Sequence, residues 1–476
     1  MFGLKINRNL DLSLTRQLCD QLRELIEKGI LKSGQRLPST RKMADELQIS
    51  RNVMVEVYEQ LTAEGYLESI VGSGTYVSKN IVQDRYINNS KQIIKSRKEK
   101  KIEENLDIVN NDIIQFVGGI PDLKLFPRKL WSKYLKNTVQ NSTADIFGYG
   151  DILGDFELRK TLTDYLFRVK GIQCNPDQII ITSGSSEGFM LTARVFTNKY
   201  KSVFVEDPTV NFIKTIFNKL NYHLKPITVD KDGMKIEDLE KYKQAGLILL
   251  TPSHQFPTGS ILPIHRRQRV IQIAETTKSY LVEDDYDSEF RLKGVPIPPL
   301  QVLNSSRVIY VSTFSKNMSP GLRLGFLVIP TDLINDFRTV KNTLNIRTST
   351  IKQRAMAYFI KDGHLDRQIY RMKKEYKKRR SYMITLLSKK FGGDITIQGD
   401  ETGMHLQLEF LPEKYNLINW NSAEQYGIKI ISFEEYSLIK GENKNKIVLG
   451  YGNLDLKNIK SGINRLVEFV EDEIKE

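Results

Sequence analysis

Cysteine is nearly absent: only Cys19 and Cys174 occur, and they fall in different predicted domains. Neither a disulfide framework nor a thiolate metal site is expected from two such residues, and no metal is assigned. The chain also lacks any run approaching the roughly 18 apolar residues of a membrane span. Its opening residues, MFGLKINRNLDLSL, lack the unbroken apolar core of a secretory signal. The expectation is a cytoplasmic protein with no membrane partner. Acidic residues are in short supply, 57 against 71 Lys and Arg, and the resulting net charge of +14 suggests a polyanionic partner. Residues 1–80, however, carry eleven Lys/Arg against ten Asp/Glu, so most of the excess lies beyond residue 113. Charge alone therefore identifies no DNA-binding region. The chain's 476 residues exceed what one hydrophobic core organises, so two or more domains are expected.

What is present begins with helical periodicity. Residues 14–29 place Leu14, Leu18, Leu22, Leu25 and Ile26 on one stripe, and Gly29 can end the helix. A short helix over 40–47 buries Met43, Ala44 and Leu47. Ser50 is the N-cap of a longer helix over 51–64, with Met54, Val57, Tyr58 and Leu61 inward and Arg51, Asn52 and Val55 at its start. Two short helices joined by a tight turn, the second polar at its N-terminus, have helix-turn-helix geometry, in which those polar residues reach base edges in the major groove. YLESIV, Gly72-Ser73-Gly74 and TYVS then form a β-hairpin, the wing. Arg36 can equally brace the turn.

The segment RLPSTRKMADELQISRNVMVEVYEQLTAEGYLESIVGSGTYV resembles the GntR-type winged helix, through Arg36, Leu37, Pro38, Ser39, Arg41, Ser50, Arg51, Tyr58, Leu61, Gly65, Gly72 and Gly74. The resemblance implies DNA contacts from Arg41, Ser50, Arg51 and Asn52, with the wing at Gly72 and Gly74 along the backbone. Residues 80–113 are polar without sustained periodicity and read as a flexible linker, in which the basic run 95–101 is a solvated tether or a phosphate contact. The expected domains are thus 1–79, a winged helix-turn-helix; 80–113, the linker; and 114–476.

From residue 114, apolar runs alternate with helical segments, the pattern of an α/β domain around a mostly parallel sheet. Strands are expected at 178–182, 202–206, 247–251, 280–284, 307–312 and 324–329, and chemistry just after their C-terminal ends. Three motifs fall there. Ser183-Gly184-Ser185-Ser186-Glu187-Gly188 opens a helix and can cradle a phosphate, although such turns also merely connect elements. Glu283-Asp284-Asp285-Tyr286-Asp287 offers a carboxylate to a protonated pyridine nitrogen, or is a solvated loop or a metal site. Ser312-Thr313-Phe314-Ser315-Lys316, followed by Arg323, offers a lysine able to form a Schiff base and a guanidinium for phosphate oxygens.

Together with FVGGIPDLKLFPRKLW, YGDILGDFELRKTLTDYLFRVKG, TPSHQFPTG, VEDDYDSEFR, STFSKNMSPGLRLGF and RMKKEYKKRRSYM, these motifs resemble fold-type I aminotransferases. More specifically, the chain resembles MocR/GabR-type regulators, which join a GntR reader to such a domain with a small C-terminal subdomain. The resemblance implies pyridoxal 5'-phosphate as cofactor and a catalytic set of Lys316, Asp284 and Tyr286. Lys316 is then the internal-aldimine lysine, Asp284 the partner of the pyridine nitrogen and Tyr286 that of the phenolic oxygen. Gly184, Ser185, Ser186, Thr313 and Arg323 hold the phosphate, with Tyr149 reaching it from the other subunit of a homodimer. Operator DNA is the macromolecular partner, each DNA reader reaching over the opposite subunit, and an amine, an amino acid or the cofactor itself is the effector.

Two positions depart from the pattern. Val210 stands where the family has an aromatic, weakening ring stacking. Val448 replaces the arginine with which many aminotransferases clamp a substrate carboxylate, so a 4-aminobutyrate sensor does not transfer; Arg347 or a lysine is the candidate substitute. The leading expectation is a one-component transcription regulator with at most weak transaminase or half-reaction activity. The rivals are an active aminotransferase with a DNA anchor and a DNA-binding structural protein with a vestigial site. Segment 367–380 is basic, and Arg371, Lys374, Lys377, Lys378 and Arg379 are expected to crowd one side of a helix, as a solvated face or as a DNA contact.

Overall fold

The computed structural model describes residues 2–8, 12–70, 72–79, 113–292, 294 and 297–475. The chain forms two compact units, Met1–Ile108 and Val109–Glu476. The expected linker and its basic run lie outside the described residues, apart from Ile113.

In the first unit, serine sets the start of each described helix. Ser13, Ser39 and Ser50 cap Leu14–Glu27, Thr40–Leu47 and Arg51–Ala63, each Oγ accepting the N–H three residues on. Apolar side chains at helical spacing then close one core. Leu18, Leu22, Ile26, Met43, Ala44, Met54, Val57, Tyr58 and Leu61 are all buried in it, whereas Leu47 is only half-buried. Leu67–Ile70 pairs antiparallel with Gly74–Val77 to make the hairpin. Gly72 has φ +77°, in the left-handed region that the turn requires.

The second unit is built on an eight-stranded sheet. Its order is Ile179–Thr182, Gly325–Val328, Val308–Thr313, Tyr280–Asp285, Leu247–Leu250, Ser202–Asp207, His223–Asp230 and Gly233–Met234. The five strands from Val308–Thr313 to His223–Asp230 are mutually parallel, while Gly325–Val328 and Gly233–Met234 run antiparallel to their neighbours. Fully buried strands such as Leu247–Leu250 and Tyr280–Asp285 require cover on both faces, and helices supply it. A second, antiparallel sheet of Ile395–Gln398, His405–Phe410, Lys446–Gly450 and Ile431–Ser432 forms the smaller C-terminal part. The helices His364–Phe391 and Leu456–Lys475 pack against it around a separate core that includes Tyr376, Met383, Leu406, Leu449 and Phe469. Ile114–Gln115 pairs with Ile428–Lys429, tying the start of this unit to its end.

Candidate cofactor site and DNA-reading surface

The reading surface follows from the caps. Because Ser50 stops the chain from being helical one residue earlier, Arg51 and Asn52 occupy the first turn of Arg51–Ala63, and both are exposed. Arg41 is exposed in the first turn of the preceding helix. Ser50 Oγ is engaged by Val53 N–H at 3.5 Å, so its first role is the cap. Gly72 and Gly74 are exposed at the hairpin turn, and Arg36 packs against Gly74, its Nε 3.1 Å from where a Cβ would stand. Arg36 thus braces the wing.

In the second unit, Tyr280–Asp285 and Val308–Thr313 run parallel with Val311 opposite Asp284. Their C-terminal ends deliver Asp284 and, just past the strand, Lys316 to one edge of the sheet, where α/β folds place ligands. Side chains alternate along a strand, and this divides the acidic run. Glu283 accepts N–H bonds from Leu300 and Gln301 at 2.9 and 3.1 Å. Asp285 accepts from Lys170 Nζ at 2.9 Å and from the Tyr310 hydroxyl. Asp284, on the other face, is 7% exposed, and its Oδ1 has no hydrogen-bond partner. Burial, reinforced by Asp285 and Asp287, pushes its carboxyl up to about 8.

Lys316 Nζ donates to Gly119 O at 2.6 Å, and burial holds the ammonium below the usual lysine range against the pull of Asp287 and Asp284. Gly119 has φ +77°, and a Cβ there would stand 3.3 Å from Lys316 Nζ, so a side chain would be both strained and crowding the amine. The Tyr286 hydroxyl is 3.0 Å from His254 Nδ1, which is in turn 2.9 Å from each oxygen of Asp287. Burial, then the charges of Asp287 and Asp284, drive the Tyr286 phenol well above its ordinary range.

The segment expected to cradle a phosphate lies at the start of another helix. Gly184, at φ +131°, caps Ser185–Phe196, with Ser185 half-buried and Ser186 exposed in its first turn. The Arg323 guanidinium comes within 3.8 Å of the Gly184 Cβ position. Thr313 Oγ1 accepts from Ser315 N–H at 3.1 Å and donates to Ser315 Oγ at 2.9 Å. Glu187 accepts from Ser183 N–H at 2.7 Å and from the buried Lys341 at 2.8 Å, so its charge is compensated beside the cradle. Tyr149 is 88% exposed, its ring under the Arg347 guanidinium at 5.9 Å.

Several features were not singled out from sequence. His254, Asp287 and His405 meet in the interior, with potential ligand atoms within 4.8 Å of one another. His254 Nδ1 is engaged by Asp287, while His254 Nε2 and His405 Nδ1 have no partner. The chain's five histidines are few enough that a pair lying in motif-bearing or apolar segments was a usable signal. Val448 and Phe256 both stand 3.1 Å from the Cβ position of Gly118, next to the Gly119 that receives the Lys316 amine. They pack with Phe433 and Tyr436, and with Val210, Tyr286 and Ile431 against them, as an apolar wall. Arg347, the candidate substitute for the arginine missing at Val448, lies over the Tyr149 ring and bonds Asn345 Oδ1, while its Nε is buried with no partner. Arg379 leaves the expected cationic face: it is 7% exposed, donating to Asp122 Oδ2 and Gly452 O at 2.5 Å each.

A winged helix-turn-helix and an aminotransferase fold in one chain define a class of DNA-binding regulator with an aminotransferase-like domain. Residues 14–77 match the family described as "Bacterial regulatory proteins, gntR family", and residues 121–454 match "Aminotransferase class I and II". The chain is similar to the "Probable rhizopine catabolism regulatory protein MocR" of Rhizobium meliloti, 33% identical over 97% of this chain and 95% of that one. It is also similar to the "HTH-type pyridoxine biosynthesis transcriptional regulator PdxR" of Corynebacterium glutamicum, 29% identical over 95% of each chain. The Pyrococcus horikoshii kynurenine aminotransferase, solved in complex with PMP, KYN and KYA, is 27% identical, with a TM-score of 0.70 over 81% of this chain and 94% of that one. The Thermus thermophilus α-aminoadipate aminotransferase LysN, 22% identical, shares the fold with a TM-score of 0.69 over 78% of this chain and 94% of that one. The chain belongs to the MocR-type family of GntR transcription regulators with an aminotransferase class I and II domain. Among the described residues, no helix is long and apolar enough to cross a membrane.

Proposed function

We propose that this regulator binds pyridoxal 5'-phosphate at Lys316 and couples occupancy of that site by an amine to operator binding by a homodimer. The observation that carries the reading is Asp284, a buried carboxylate whose Oδ1 lacks any donor, on the sheet edge that also presents Lys316. Ionising a buried carboxyl that has no donor is costly, which is why its pKa is raised, and a ring N–H would satisfy the charged form. When bound, pyridoxal phosphate supplies an aldehyde reactive toward primary amines and a ring that draws electrons. Asp284 holds the proton on the ring nitrogen, and the Tyr286 hydroxyl orients the phenolic oxygen. Lys316 holds the aldehyde end, and its burial-depressed pKa keeps a fraction of its amine neutral for that task. The first turn of Ser185–Phe196, with Thr313 and Arg323, offers N–H, hydroxyl and guanidinium donors to a phosphate.

The apolar wall at Val448 and Phe256 supports an effector without a carboxylate, since burying a carboxylate against it without a guanidinium is unfavourable. An amine can shift the regulator only by binding its arrangements unequally, so its effect on DNA affinity and the DNA's effect on amine affinity are equal. A visible-absorbance titration of cofactor-loaded protein with apolar amines and with amino acids, repeated with promoter DNA, tests this. The expected result is a response to apolar amines whose midpoint DNA moves. No cofactor band at all would remove the binding site, while a band insensitive to every amine would leave the cofactor itself as effector. In a Val448→Arg variant the response is expected to extend to amino acids. Keto-acid-dependent turnover would favour the enzyme reading.

A further inference from the structure

The helix His364–Phe391 divides its charged residues by face. Leu365, Gln368, Met372, Tyr376, Arg379, Arg380, Met383 and Leu387 are buried, the two arginines bonding Asp122, Gly452 O and Asp400 O. On the solvent side, Arg367, Arg371, Lys374, Lys378 and Lys389 recur at spacings that fall on one stripe of an α-helix, with Lys377 beside it. All six are exposed, and none forms an ion pair with a carboxylate among the described residues. No acidic residue of this helix is exposed; Asp366 and Glu375 are half-buried, and Asp366 pairs with Arg168. At about 1.5 Å per residue the stripe from Arg367 to Lys389 runs about 33 Å. One turn of duplex DNA is about 34 Å.

Arg367 bonds Asp362 O and His364, and Arg371 bonds Leu125 O and Gln368, so the arginines also serve the fold. Lys374, Lys377 and Lys378 form no ion pair among the described residues, and like charges so close on one helix are mildly destabilising. The DNA reader, meanwhile, is close to neutral, with eleven Lys/Arg against ten Asp/Glu in residues 1–80, although phosphate neutralisation supplies a large share of duplex affinity. We propose that the outer face of His364–Phe391 is a second DNA-contacting surface that engages backbone phosphates and reads no bases. Its chemistry suits duplex phosphates flanking the sequence that the helix-turn-helix recognises. Tyr370, 74% exposed beside the stripe, adds a hydroxyl donor of the kind that contacts phosphate and sugar.

The test uses the full chain and a duplex several helical turns long, measuring affinity against salt. Removing one phosphate neutralisation flattens the log–log slope by about 0.9. Lys374→Gln/Lys377→Gln/Lys378→Gln should flatten it by about one to three, with thermal unfolding and oligomeric mass unchanged, since all three side chains are exposed. Lys374→Arg/Lys377→Arg/Lys378→Arg, which keeps the charge, should retain the wild-type slope. Should the Gln triple not fold, Lys389→Gln/Lys390→Gln at the far end provides an independent reading, with a smaller flattening expected. A wild-type slope in every folded Gln variant overturns the proposal, as does equal flattening in the Arg variant. Binding of the wild type to anionic phospholipid vesicles, with the DNA slope untouched by the Gln variants, would assign the face to a membrane surface and overturn it equally.

Discussion

The two units hold their candidate site residues in opposite ways. In the first, Arg41, Arg51 and Asn52 come from one short stretch, stand in solvent and owe their positions to local caps on two helices. In the second, Gly119, Gly184, His254, Asp284, Lys316 and Val448 come from across the unit, and most are buried. A surface that reads DNA needs only rigid support behind exposed side chains. A site that holds a charged ring must instead keep selected polar groups unpaired inside a low-dielectric interior, and distant elements have to supply it. Substitutions in the first unit should therefore act locally and additively, whereas those in the second should spread through coupled charges.

Lys316→Ala puts the most strain on this contrast. The visible band of cofactor-loaded protein should vanish completely, while intrinsic affinity for operator DNA in the absence of amine changes little. A surviving band would move the covalent attachment to another lysine. Asp284→Asn should show two opposed effects, both larger than any surface change. Cofactor affinity is expected to fall at least tenfold, by equilibrium titration. Stability of the cofactor-free protein, by contrast, should rise with a particular pH dependence. The folded-state pKa of Asp284 is about 8 against an ordinary value of 3.8, so between these limits the unfolded chain binds fewer protons than the native one. Wild-type stability contributed by this group therefore declines as pH rises from about 4 to about 8, by on the order of a few kcal/mol. Asn removes that slope, so the gap between variant and wild type in denaturant melts should widen toward pH 8 and close toward pH 4. A constant gap would mean that Asp284 is already paired.

In the DNA reader, Arg51→Ala should lose about 1–3 kcal/mol of discrimination between operator and mismatched sites, with cofactor binding intact. Loss of both would make Arg51 structural. Ser50→Ala is the smallest effect: about 1 kcal/mol of stability in the first unit from removal of the cap. If instead base discrimination falls with no change in stability, Ser50 acts on DNA and the cap is incidental.

Much of the first unit was legible because its determinants are near neighbours. Ser50 before an apolar periodicity, and glycines between two alternating segments, specify a capped helix and a hairpin whatever surrounds them. Six strands of the eight-stranded sheet were legible for a related reason, as nearly unbroken apolar runs bounded by turn residues, whereas none of the strands of the second, antiparallel sheet was singled out. His223–Asp230 escaped because its exposed and half-buried positions, with Lys225 and Pro226 among them, carry no such run. The candidate site was legible as three motifs, but the division of contacts among their residues was not.

Adjacent residues were enough for the two-part organisation, the winged helix, the α/β alternation and the candidate lysine, carboxylate and cradle, because periodicity, caps and motif order are all local properties of the chain. Packing in three dimensions was needed to make Asp284 the unpaired acid while Asp285 is neutralised by Lys170 and Glu283 is held by two backbone N–H groups. The same packing brings His254, Asp287 and His405 together behind Tyr286 and sets Val448 in an apolar wall. It also turns Arg379 inward to Asp122 while Lys374 and Lys378 face solvent. Burial and pairing depend on groups tens to hundreds of residues apart, and a charge's energy is set by what surrounds it in space.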